Sequence, residues 1–502
     1  MRGPEERLPS AVYSASQIRD LERLAPQRDG IASYELMTRA GAAALAVLRR
    51  RWPAAGRVLV YCGPGNNGGD GYVLARDARA AGLEAAVVAL VPPERLKGDA
   101  ARAARDCRDG GVPIEPYDPR SSAIARHAPQ VLVDALLGIG ADRALDGDIA
   151  AAVAELNGAG WPILALDIPS GLHADTGRVL GSVVHASMTL TFLGLKPGLF
   201  LGAGCDVTGG LEVVDLGVTT AHAPGAPVLE RLTGADLDRA LPKRPRSAHK
   251  GTSGRLLLVG GGPGMPGAIR LAAEAALRTG AGLVYVAAHP DSAPAVLAGR
   301  PEVICRPVAT PADLEPLLEL ADAAAMGPGL GTSEWGRALW ARVSSSPLPL
   351  VVDADALNLL AQSPAARGRW ILTPHPAEAA RLLGIATDDV QHDRLGAVRE
   401  LARRYDAVAV LKGACSLVAV NGALETVSVC DRGNPGMATA GMGDVLTGAL
   451  GGLLVQTRDL PASARAGVLL HALAGDDAAR DGERGTLAGD LLPHLRRWAN
   501  RT

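Results

Sequence analysis

Short runs of aliphatic and β-branched residues alternate along this chain with longer runs that are rich in alanine. In the first half, four apolar runs predict strands, and the run Asp70–Ala81 between the first two predicts a helix. The predicted strands are Arg57–Cys62, Glu84–Val91, Gln130–Ala135 and Ile163–Ile168. Strands that alternate with helices are typical of doubly wound parallel sheets, so we predict an α/β fold.

The alternation stops after Gly217, where the segment VTTAHAPGAP contains small residues and proline and resembles a linker. A second series of strands follows, with predicted helices over Ala268–Thr279 and Asp444–Gln456. Its predicted strands are Arg255–Val259, Leu283–Ala287, Ala323–Met326, Leu350–Asp353, Trp370–Leu372 and Val408–Leu411. We therefore expect two α/β domains, residues 1–218 and 229–502, joined by a linker over residues 219–228.

Composition agrees with two folded domains and narrows the possible functions. The 502 residues are too many for one ordinary core, and the 48% hydrophobic content excludes a disordered chain. A formal net charge of −2 argues against electrostatic binding to nucleic acid, and the basic run at residues 243–250 is interpreted as solvated linker.

The six cysteines have no C-x-x-C spacing, so we expect neither a zinc site nor a disulfide framework. No apolar run is long enough to span a membrane, and MRGPEERLPS is not a signal peptide, so a cytoplasmic protein is expected.

Lysine is rare in this chain, because arginine has replaced it almost everywhere. Arginine cannot copy the compact, strongly hydrated ammonium group, so a lysine that remains can indicate specific chemistry. The alternative is survival by chance. The five lysines are Lys97, Lys196, Lys243, Lys250 and Lys412.

Two loops, Gly63–Gly68 and Gly262–Gly267, match G-x-G-x-x-G between a predicted strand and a predicted helix. We do not interpret them as dinucleotide-binding loops. Asp70 would bring a carboxylate to the helix start where a phosphate should bind, and Pro266 removes one of the amides that a phosphate would use. A tight structural turn is an equally good explanation for either loop alone.

Three motifs in the first half carry polar side chains near predicted strand ends. They are GPGNNGGDG (Gly63–Gly71), LVDALLGIG (Leu132–Gly140) and LDIPSG (Leu166–Gly171). The carboxyl ends of parallel strands open on one edge of a sheet, so the polar groups of these motifs should converge there. Each aspartate alone could be a helix cap or turn residue, but the oxygen-rich set suits a hard cation or a polyol ligand.

Together, these three motifs resemble the N-terminal domain of the NAD(P)H-hydrate epimerases. The resemblance implies a Rossmann-like three-layer fold and interconversion of the R and S epimers of hydrated NADH and NADPH. The residues that it implies for hydrate binding are Asn66, Asn67, Gly68, Gly69, Asp70, Gly138, Ile139, Gly140, Ala141, Asp142, Arg143, Ala144 and Asp167. The residues that it implies for potassium binding are Asn67, Asp134 and Ser170.

Epimerisation of a carbon that bears a hydroxyl beside the ring nitrogen needs loss and return of hydroxide, or ring opening. Either route requires an acid–base group at the hydroxyl. We expect Asp167 to be that group. Lys196, in the matching segment TFLGLKPG, is a supporting candidate, and a surface lysine is the alternative for it.

The second half contains six motifs, HKGTSG, GPGLG, DADALN, TPHPAE, LKGACS and NPGMATAGMGDVLTG. In the last of them, small residues let the backbone present several N–H groups at a helix start, which forms an anion hole. Asp444 lies in the first helical turn, where the helix dipole should favour its ionised form as a base. This arrangement is typical of phosphoryl transfer to an alcohol.

In this order, the motifs resemble the ribokinase-like superfamily and, within it, the ADP- or ATP-dependent NAD(P)H-hydrate dehydratases. The resemblance implies that Asp444 is the catalytic base and that Mg²⁺ bridges the nucleotide phosphates. The nucleotide-binding residues that it implies are Lys412, Gly413, Ala414, Cys415, Ser416 and Gly443. The hydrate-binding residues that it implies are Ala268, Gly329, His375 and Asp444. ADP is expected from the resemblance, and the residues themselves do not distinguish ADP from ATP.

The leading hypothesis is a bifunctional repair enzyme whose substrates are NADHX, NADPHX and an adenine nucleotide. One alternative is a vitamin-precursor type of small-molecule kinase with a fused accessory domain, which would release a stable phosphorylated product. Another is an N-terminal interaction module of RNA-associated type, against which the intact polar set and the absence of a net basic charge both argue. No membrane partner is expected, and a homo-oligomer is the base-rate expectation.

Overall fold

A computed structural model describes residues 8–220 and 223–501 of the chain. It divides into two compact units, and the division lies between Leu229 and Glu230. The strands of the first unit are β1 (Ala11–Val12), β2 (Arg57–Cys62), β3 (Glu84–Ala89), β4 (Ile114–Pro116), β5 (Val131–Ala135), β6 (Ile163–Leu166), β7 (Met188–Phe192) and β8 (Gly210–Val214). Its helices are α1 (Ala15–Arg28), α2 (Ser33–Arg51), α3 (Asn66–Ala80), α4 (Gly98–Asp109), α5 (Ala123–His127), α6 (Gly147–Gly158) and α7 (Gly204–Val207), with short 3-10 turns at Pro93–Arg95 and Pro197–Leu199.

The sheet of the first unit has seven strands in the order β4-β3-β2-β5-β6-β7-β8, and all neighbouring pairs are parallel. The chain moves outward from β2 to β3 and β4, and then returns to place β5 on the other side of β2. The strand order therefore reverses between β2 and β5, and ligands of open α/β sheets bind at such a switch point.

Strand β2 shows why this unit has three layers. Val58, Val60 and Cys62 pack into one core with α2 and α3, whereas Leu59 and Tyr61 pack into another core on the opposite face. Successive side chains of a strand point to opposite faces, so a continuous apolar run must be covered on both sides. The α/β prediction is confirmed for this unit.

Helix α1 begins after Ser14, whose hydroxyl accepts the Gln17 N–H while the Gln17 side chain accepts the Ser14 N–H. This capping box fixes the helix start. Ile18 and Leu21 of α1 are buried in the core of the unit.

Among the described residues, no single helix is long and apolar enough to cross a membrane. Helices α1 and α2 reach the required length only together, as a pair bent by 116°.

The strands of the second unit are β9 (Leu229–Arg231), which begins at the last residue of the first unit, and β10 (Arg255–Val259), β11 (Leu283–Ala288), β12 (Ile304–Pro307), β13 (Ala323–Met326), β14 (Leu350–Val352), β15 (Trp370–Leu372), β16 (Val408–Leu411), β17 (Ser416–Val420) and β18 (Val427–Cys430). Its helices are α8 (Gly234–Ala240), α9 (Pro266–Thr279), α10 (Ala293–Gly299), α11 (Glu315–Leu320), α12 (Glu334–Ser344), α13 (Ala354–Gln362), α14 (Pro376–Leu383), α15 (Thr387–His392), α16 (Arg394–Tyr405), α17 (Met442–Thr457), α18 (Leu460–Ala478) and α19 (Leu491–Trp498), with 3-10 turns at Pro311–Leu314, Pro435–Met437 and Ala488–Asp490.

Strands β10 to β18 follow the order β18-β17-β16-β15-β14-β13-β10-β11-β12. The pairs from β12 to β16 are parallel, but β17 and β18 are antiparallel to their neighbours. All six strands predicted for this unit lie in the parallel part of the sheet, and the antiparallel edge consists of strands that the sequence analysis did not predict. Only residues 412–415 connect β16 to β17, which is too short for a crossover and forms a hairpin. The strand order reverses between β10 and β13, so this unit also has a switch point.

The three helices predicted above all begin earlier than the sequence indicated, and the one predicted from Ala268 begins at Pro266. The helix predicted from Asp70 begins at Asn66, and the helix predicted from Asp444 begins at Met442. In both cases, the first turn contains glycines that look like loop residues in the sequence. The structure places them inside the helix, and the polar residues of both motifs therefore lie in first turns or directly after them.

Candidate active sites

A cavity of about 740 Å³ lies at the switch point of the first unit, where the segments that follow β2, β5 and β6 meet. Most of the residues predicted to bind the hydrate form part of its wall. These are Asn66, Asn67, Asp70, Gly138, Ile139, Gly140, Ala141, Asp142, Arg143, Ala144 and Asp167. The structure therefore brings the three N-terminal motifs together.

Gly68 and Gly69 are the two predicted hydrate contacts that do not lie in the cavity wall. Both are buried in the first turns of α3. A Cβ at Gly68 would overlap the carbonyl oxygen of Gly63, and a Cβ at Gly69 would collide with the Met37 side chain. These glycines allow α3 to start close to the end of β2, which places Asn66 and Asn67 at the cavity.

Asp134 and Ser170 form a buried pair beside this cavity, and neither residue is accessible to solvent. Ser170 donates its backbone N–H to Asp134 Oδ2 at 2.8 Å and its hydroxyl to Asp134 Oδ1 at 2.6 Å. Desolvation by burial raises the pKa of Asp134 to about 6, although the bonds from Ser170 oppose this shift. A buried carboxylate of this kind calls for a compensating cation.

Asn67 is the third residue predicted for potassium. It is 8% exposed, and both its Oδ1 and its Nδ2 lack a hydrogen-bond partner in the described chain. Buried polar atoms are almost always paired, so an unpaired amide oxygen in a cavity wall indicates a bound ligand or ion. The oxygen donors of Asn67, Asp134 and Ser170 fit a hard monovalent cation.

Asp167 follows β6 in the left-handed region, with φ 65°. Its carboxylate forms an ion pair with the ammonium group of Lys196. Lys196 is fully buried and also donates to Thr191 Oγ1 and to the Phe192 carbonyl, each at 2.8 Å. Lys196 is therefore not a surface lysine. A non-glycine residue with positive φ is energetically costly, and such strain is concentrated at functional sites.

Helix α1 supplies two cavity residues that the sequence reasoning missed, Arg19 and Glu22. The signal was present in the sequence, because Glu22 lies four residues after Ile18 and three before Ala25 and so shares their apolar face. Desolvation, with the nearby Asp167 charge, raises the pKa of Glu22 to about 7. Desolvation and the charges of Asp167 and Glu22 also raise the pKa of Asp70 well above its usual range.

In the second unit, the loops that follow β10 and β13 meet at the switch point. Gly262 donates its N–H to the Gly329 carbonyl at 2.6 Å. A Cβ at Gly329 would lie 3.3 Å from the Ala268 Cβ, so these two predicted hydrate contacts are neighbours. Asp355, in the DADALN motif, accepts the Gly331 N–H at 2.8 Å and links a third motif to the same place.

Lys412 and Asp353 form the polar centre of this site. Lys412 Nζ lies 2.7 Å from Asp353 Oδ1 and 3.8 Å from Glu378 Oε2. Asp353 also accepts the hydroxyls of Thr373 at 2.8 Å and Thr447 at 2.7 Å. Burial alone would raise the pKa of Asp353 and lower that of Lys412, but their mutual attraction holds the first below and the second above its ordinary value. Sequence reasoning marked the motifs but missed the roles of Asp353, Glu378 and Thr447.

Helix α17 begins beside this pair, because a Cβ at Gly443 would lie 3.5 Å from Lys412 Nζ and 3.7 Å from Asp353 Oδ2. Gly441 precedes the helix with φ 88°, and no side chain caps the helix start. The N–H groups of the first turn thus remain available for an anion. His471, which sequence reasoning also missed, lies with Nε2 3.0 Å from the Met442 carbonyl and supports this turn.

Asp444 lies at the third position of α17, as predicted. That the helix dipole favours its ionised form stays a prediction, but the net shift of its pKa is in the opposite direction. Desolvation and the charge of Asp353 raise the pKa of Asp444 to about 6, although Lys412 opposes them. Burial outweighs the dipole here, and a pKa near 6 suits a general base better than an ordinary aspartate does.

His375 has a structural role that the sequence did not reveal. It is the N-cap of α14, where its Nδ1 accepts the N–H groups of Ala377 and Glu378, and Glu378 returns a bond to the His375 N–H. Burial and the charge of Lys412 lower the pKa of His375, so the neutral ring is favoured. Half of its side chain is exposed, so its other ring nitrogen remains accessible.

The segment Lys412–Ser416 turns between β16 and β17, with Gly413 at φ 139° and Cys415 at φ 52°. Arg394, a further residue that sequence reasoning missed, is buried beneath this turn and donates to the carbonyls of Leu411 and Lys412.

The HKG motif is the one of the six motifs that the described contacts do not connect to this site. Lys250 is exposed, and no described contact joins it to Lys412, Asp353 or Asp444.

Two family models match the chain. A YjeF-related N-terminal model matches residues 33–198, and an NAD(P)H-hydrate dehydratase model matches residues 256–497. A bifunctional NAD(P)H-hydrate repair enzyme, Nnr, of Coxiella burnetii is 47% identical over 98% of this chain and 100% of its own length. The Escherichia coli protein of the same name is 43% identical over 98% of this chain and 95% of its own length.

A solved structure of known fold is similar to the second unit. A ribokinase-like superfamily protein from Enterococcus faecalis is 27% identical, with a TM-score of 0.51, and the match covers 54% of this chain and 95% of that protein. The second unit therefore has the ribokinase-like fold that its motifs predicted.

Proposed function

Because the chain belongs to the family of bifunctional NAD(P)H-hydrate repair enzymes, we propose that its two units carry out successive steps in the repair of hydrated NADH and NADPH. The first unit interconverts the R and S epimers of the hydrate. The second unit dehydrates the S epimer with ADP or ATP, releasing AMP or ADP and phosphate and restoring NAD(P)H. The observation that carries this proposal is the convergence of matched motifs at the switch point of each unit. We expect the enzyme to act in the cytoplasm as a homo-oligomer.

In the epimerase cavity, Asp167 exchanges a proton with the hydroxyl group of the hydrate. The buried Lys196 ammonium orients the Asp167 carboxylate through their ion pair. The wall formed by Gly138–Ala144 and the first turn of α3 would contact the nicotinamide ring and position it. Positioning of this kind supplies a large part of the rate enhancement of an enzyme.

Asn67, Asp134 and Ser170 would hold a potassium ion beside this cavity. The unpartnered Asn67 amide oxygen and the buried Asp134 carboxylate support this assignment. A bound K⁺ supplies a fixed positive charge that compensates the buried carboxylate and polarises the bound hydrate. Ser170 then has a positioning role, because its two bonds orient Asp134.

In the dehydratase site, Asp444 accepts the proton of the hydrate hydroxyl as that oxygen attacks the terminal phosphorus of the nucleotide. Phosphate then leaves the ring carbon, and loss of a proton from the neighbouring carbon restores the ring double bond. The free N–H groups at the start of α17 and the Lys412 ammonium stabilise the charge of the transferred phosphoryl group. Lys412–Ser416 and Gly443 bind the nucleotide, and Ala268, Gly329 and His375 contact the hydrate.

Mg²⁺ supplies charge neutralisation between the phosphates of the nucleotide. Among the described residues, no group of three His, Cys, Asp or Glu side chains is arranged to hold a metal ion.

The kinase alternative is not favoured. The two relatives with the highest reported identity carry the repair-enzyme name and match 98% of this chain, including the N-terminal unit that the alternative treats as an accessory domain.

The test is to supply a mixture of R and S hydrates with ADP or ATP and to follow the return of NAD(P)H absorbance. We expect complete conversion by the unaltered chain and no dehydration by Asp444→Ala. With Asp167→Ala, only the S fraction should be dehydrated promptly. Uncatalysed epimerisation is the control. The proposal fails if the unaltered chain yields no NAD(P)H with either nucleotide, or if a stable phosphorylated product accumulates.

A further inference from the structure

The cavity of the first unit contains a carboxyl group that the reaction described above does not use. Glu22 lies on α1, outside the segment 33–198 that the family model matches. It shares a helix face with the buried residues Ile18 and Ala25, and it forms part of the same cavity wall as Asp167. A charged residue on the apolar face of an amphipathic helix requires a specific reason.

The surroundings of Glu22 and Asp167 differ in charge. Asp167 is paired with Lys196, whereas Glu22 forms no ion pair with the described residues. Glu22 is an exposed residue that forms part of the cavity wall. The other charged groups of this region come from several elements. They are Arg19 on α1, Asp70 on α3, and Asp142, Arg143 and Asp146 in the segment before α6.

These surroundings favour the protonated form of Glu22. Desolvation by the surrounding protein and the Asp167 charge raise the pKa of Glu22 to about 7, with Lys196 and Arg19 opposing them. Glu22 is therefore partly protonated at pH 7. Asp167, in the same cavity wall, contacts the Lys196 ammonium group instead. A carboxyl group that is partly protonated near neutral pH can both donate and accept a proton, as acid–base catalysis requires.

Independent evidence indicates that this cavity holds a ligand. Asn67, in the same wall, is 8% exposed and has no partner for either of its side-chain polar atoms. Glu22 is thus placed beside a binding site and not on an ordinary charged surface.

We propose that Glu22 is a second acid–base residue of the epimerase cavity and acts together with Asp167 at the carbon that bears the hydroxyl group. This inference rests on the epimerase function proposed for the unit. Inversion at one carbon requires departure of a group from one face and its return to the other, so two groups on different wall elements suit this reaction.

The proposed epimerisation consists of the loss of water from one face of the carbon and its return to the other face. Glu22 donates its proton to the hydroxyl, the C–O bond breaks, and water leaves with the bonding electrons while the lone pair of the ring nitrogen forms a C=N bond. Water then adds to the other face of the same carbon, and the Asp167 carboxylate accepts the proton that is released. The two roles exchange in the reverse direction, and solvent returns the carboxyl groups to their starting states.

The experiment uses the full chain, purified R hydrate and ADP or ATP, so that NAD(P)H appears only after epimerisation. Glu22→Gln should slow conversion of the R hydrate about 100-fold or more while leaving dehydration of the S hydrate unchanged. Glu22→Asp should restore part of the rate. Arg23→Gln is the matched control, since Arg23 is the next residue of α1 and its side chain is 69% exposed.

The pH profile separates catalysis from structural support. The unaltered chain should show a limb near pH 7 in the rate of R conversion, and Glu22→Gln should lack it. If the unaltered chain does not accelerate R conversion at all, the epimerase function itself fails. If it does, the role of Glu22 is refuted when Glu22→Gln matches Arg23→Gln within about twofold, or when the rate falls but the limb persists.

Discussion

At the scale of single residues, the five lysines differ in their surroundings, and the difference separates those with a specific role from those that need none. Lys196, which is buried, and Lys412, which is partly buried, form ion pairs with Asp167 and Asp353. Both aspartates directly follow the end of a strand. The other three lysines are exposed. The ammonium group of Lys196 donates to three different oxygens within a small space, which a planar guanidinium cannot do. The structure thus supports specific chemistry for two of the five lysines and leaves chance survival open for the rest.

The pKa of Asp444 predicts the pH dependence of dehydration. A base acts only when ionised, so the rate should fall about tenfold per pH unit below about pH 6, as the carboxylate with its raised pKa becomes protonated. The negative charge of Asp355 contributes to this shift, and Asp355→Asn should therefore move the acidic limb to lower pH. Rates of S-hydrate dehydration at saturating nucleotide measure both effects. A rate that stays constant down to pH 5 would contradict the assignment of Asp444 as the base.

At the scale of elements, both sites depend on helices that start very close to other backbone segments. Gly68 allows α3 to approach the end of β2, and glycines of α17 allow it to pack against α9. A Cβ at Gly448 would overlap the carbonyl oxygen of Ala272, and a Cβ at Gly451 would lie 2.8 Å from the Leu256 side chain. Close packing of α17 on α9 and the sheet places the first turn of α17 beside Lys412.

Gly448→Ala tests this packing. The added methyl group has no space against Ala272, so we expect the second unit to lose about 1–3 kcal/mol of stability. Gly489→Ala is the control, because nothing lies within 4 Å of a Cβ at that position. Hydrogen exchange of peptides from β13 to β15 in increasing urea measures the loss in the second unit of the intact chain. Equal stability of the two variants would show that α17 can move away from α9 at little cost.

At the scale of the whole molecule, both units have their candidate site at the point where the strand order of the sheet reverses. Each unit reverses its strand order beside the strand that leads into its first glycine-rich loop, and each site forms at that reversal. The two sites nevertheless use different charge patterns. The first has a cavity with several carboxyl groups, whereas the second has a partly buried lysine beside an uncapped helix start.

Potassium should stabilise the first unit selectively. An ion that binds only the folded state at 100 times its dissociation constant adds about 2.7 kcal/mol of stability. Replacing K⁺ by tetramethylammonium should therefore reduce hydrogen-exchange protection in β5 and β6 but not in β13 to β15. Asp134→Asn should abolish the difference between the two cations. Equal protection in both salts for the unaltered chain would contradict the potassium site.

Local pattern was sufficient for most of the fold and for the location of both sites. Five of the ten predicted strands coincide with the observed ones, and each of the other five differs by one or two residues at one end. The agreement is close because buried strands of parallel sheets are continuous apolar runs bounded by turn residues. Motif residues that follow strand ends converge, because all parallel strands end at one edge. The sequence could place Glu22 on an apolar helix face, but it could not reveal the cavity that Glu22 lines, the partners of Lys196 and Lys412, or the raised pKa of Asp444. Those features depend on contacts between residues that are distant in the chain, and on burial, whose electrostatic cost exists only after the chain has folded.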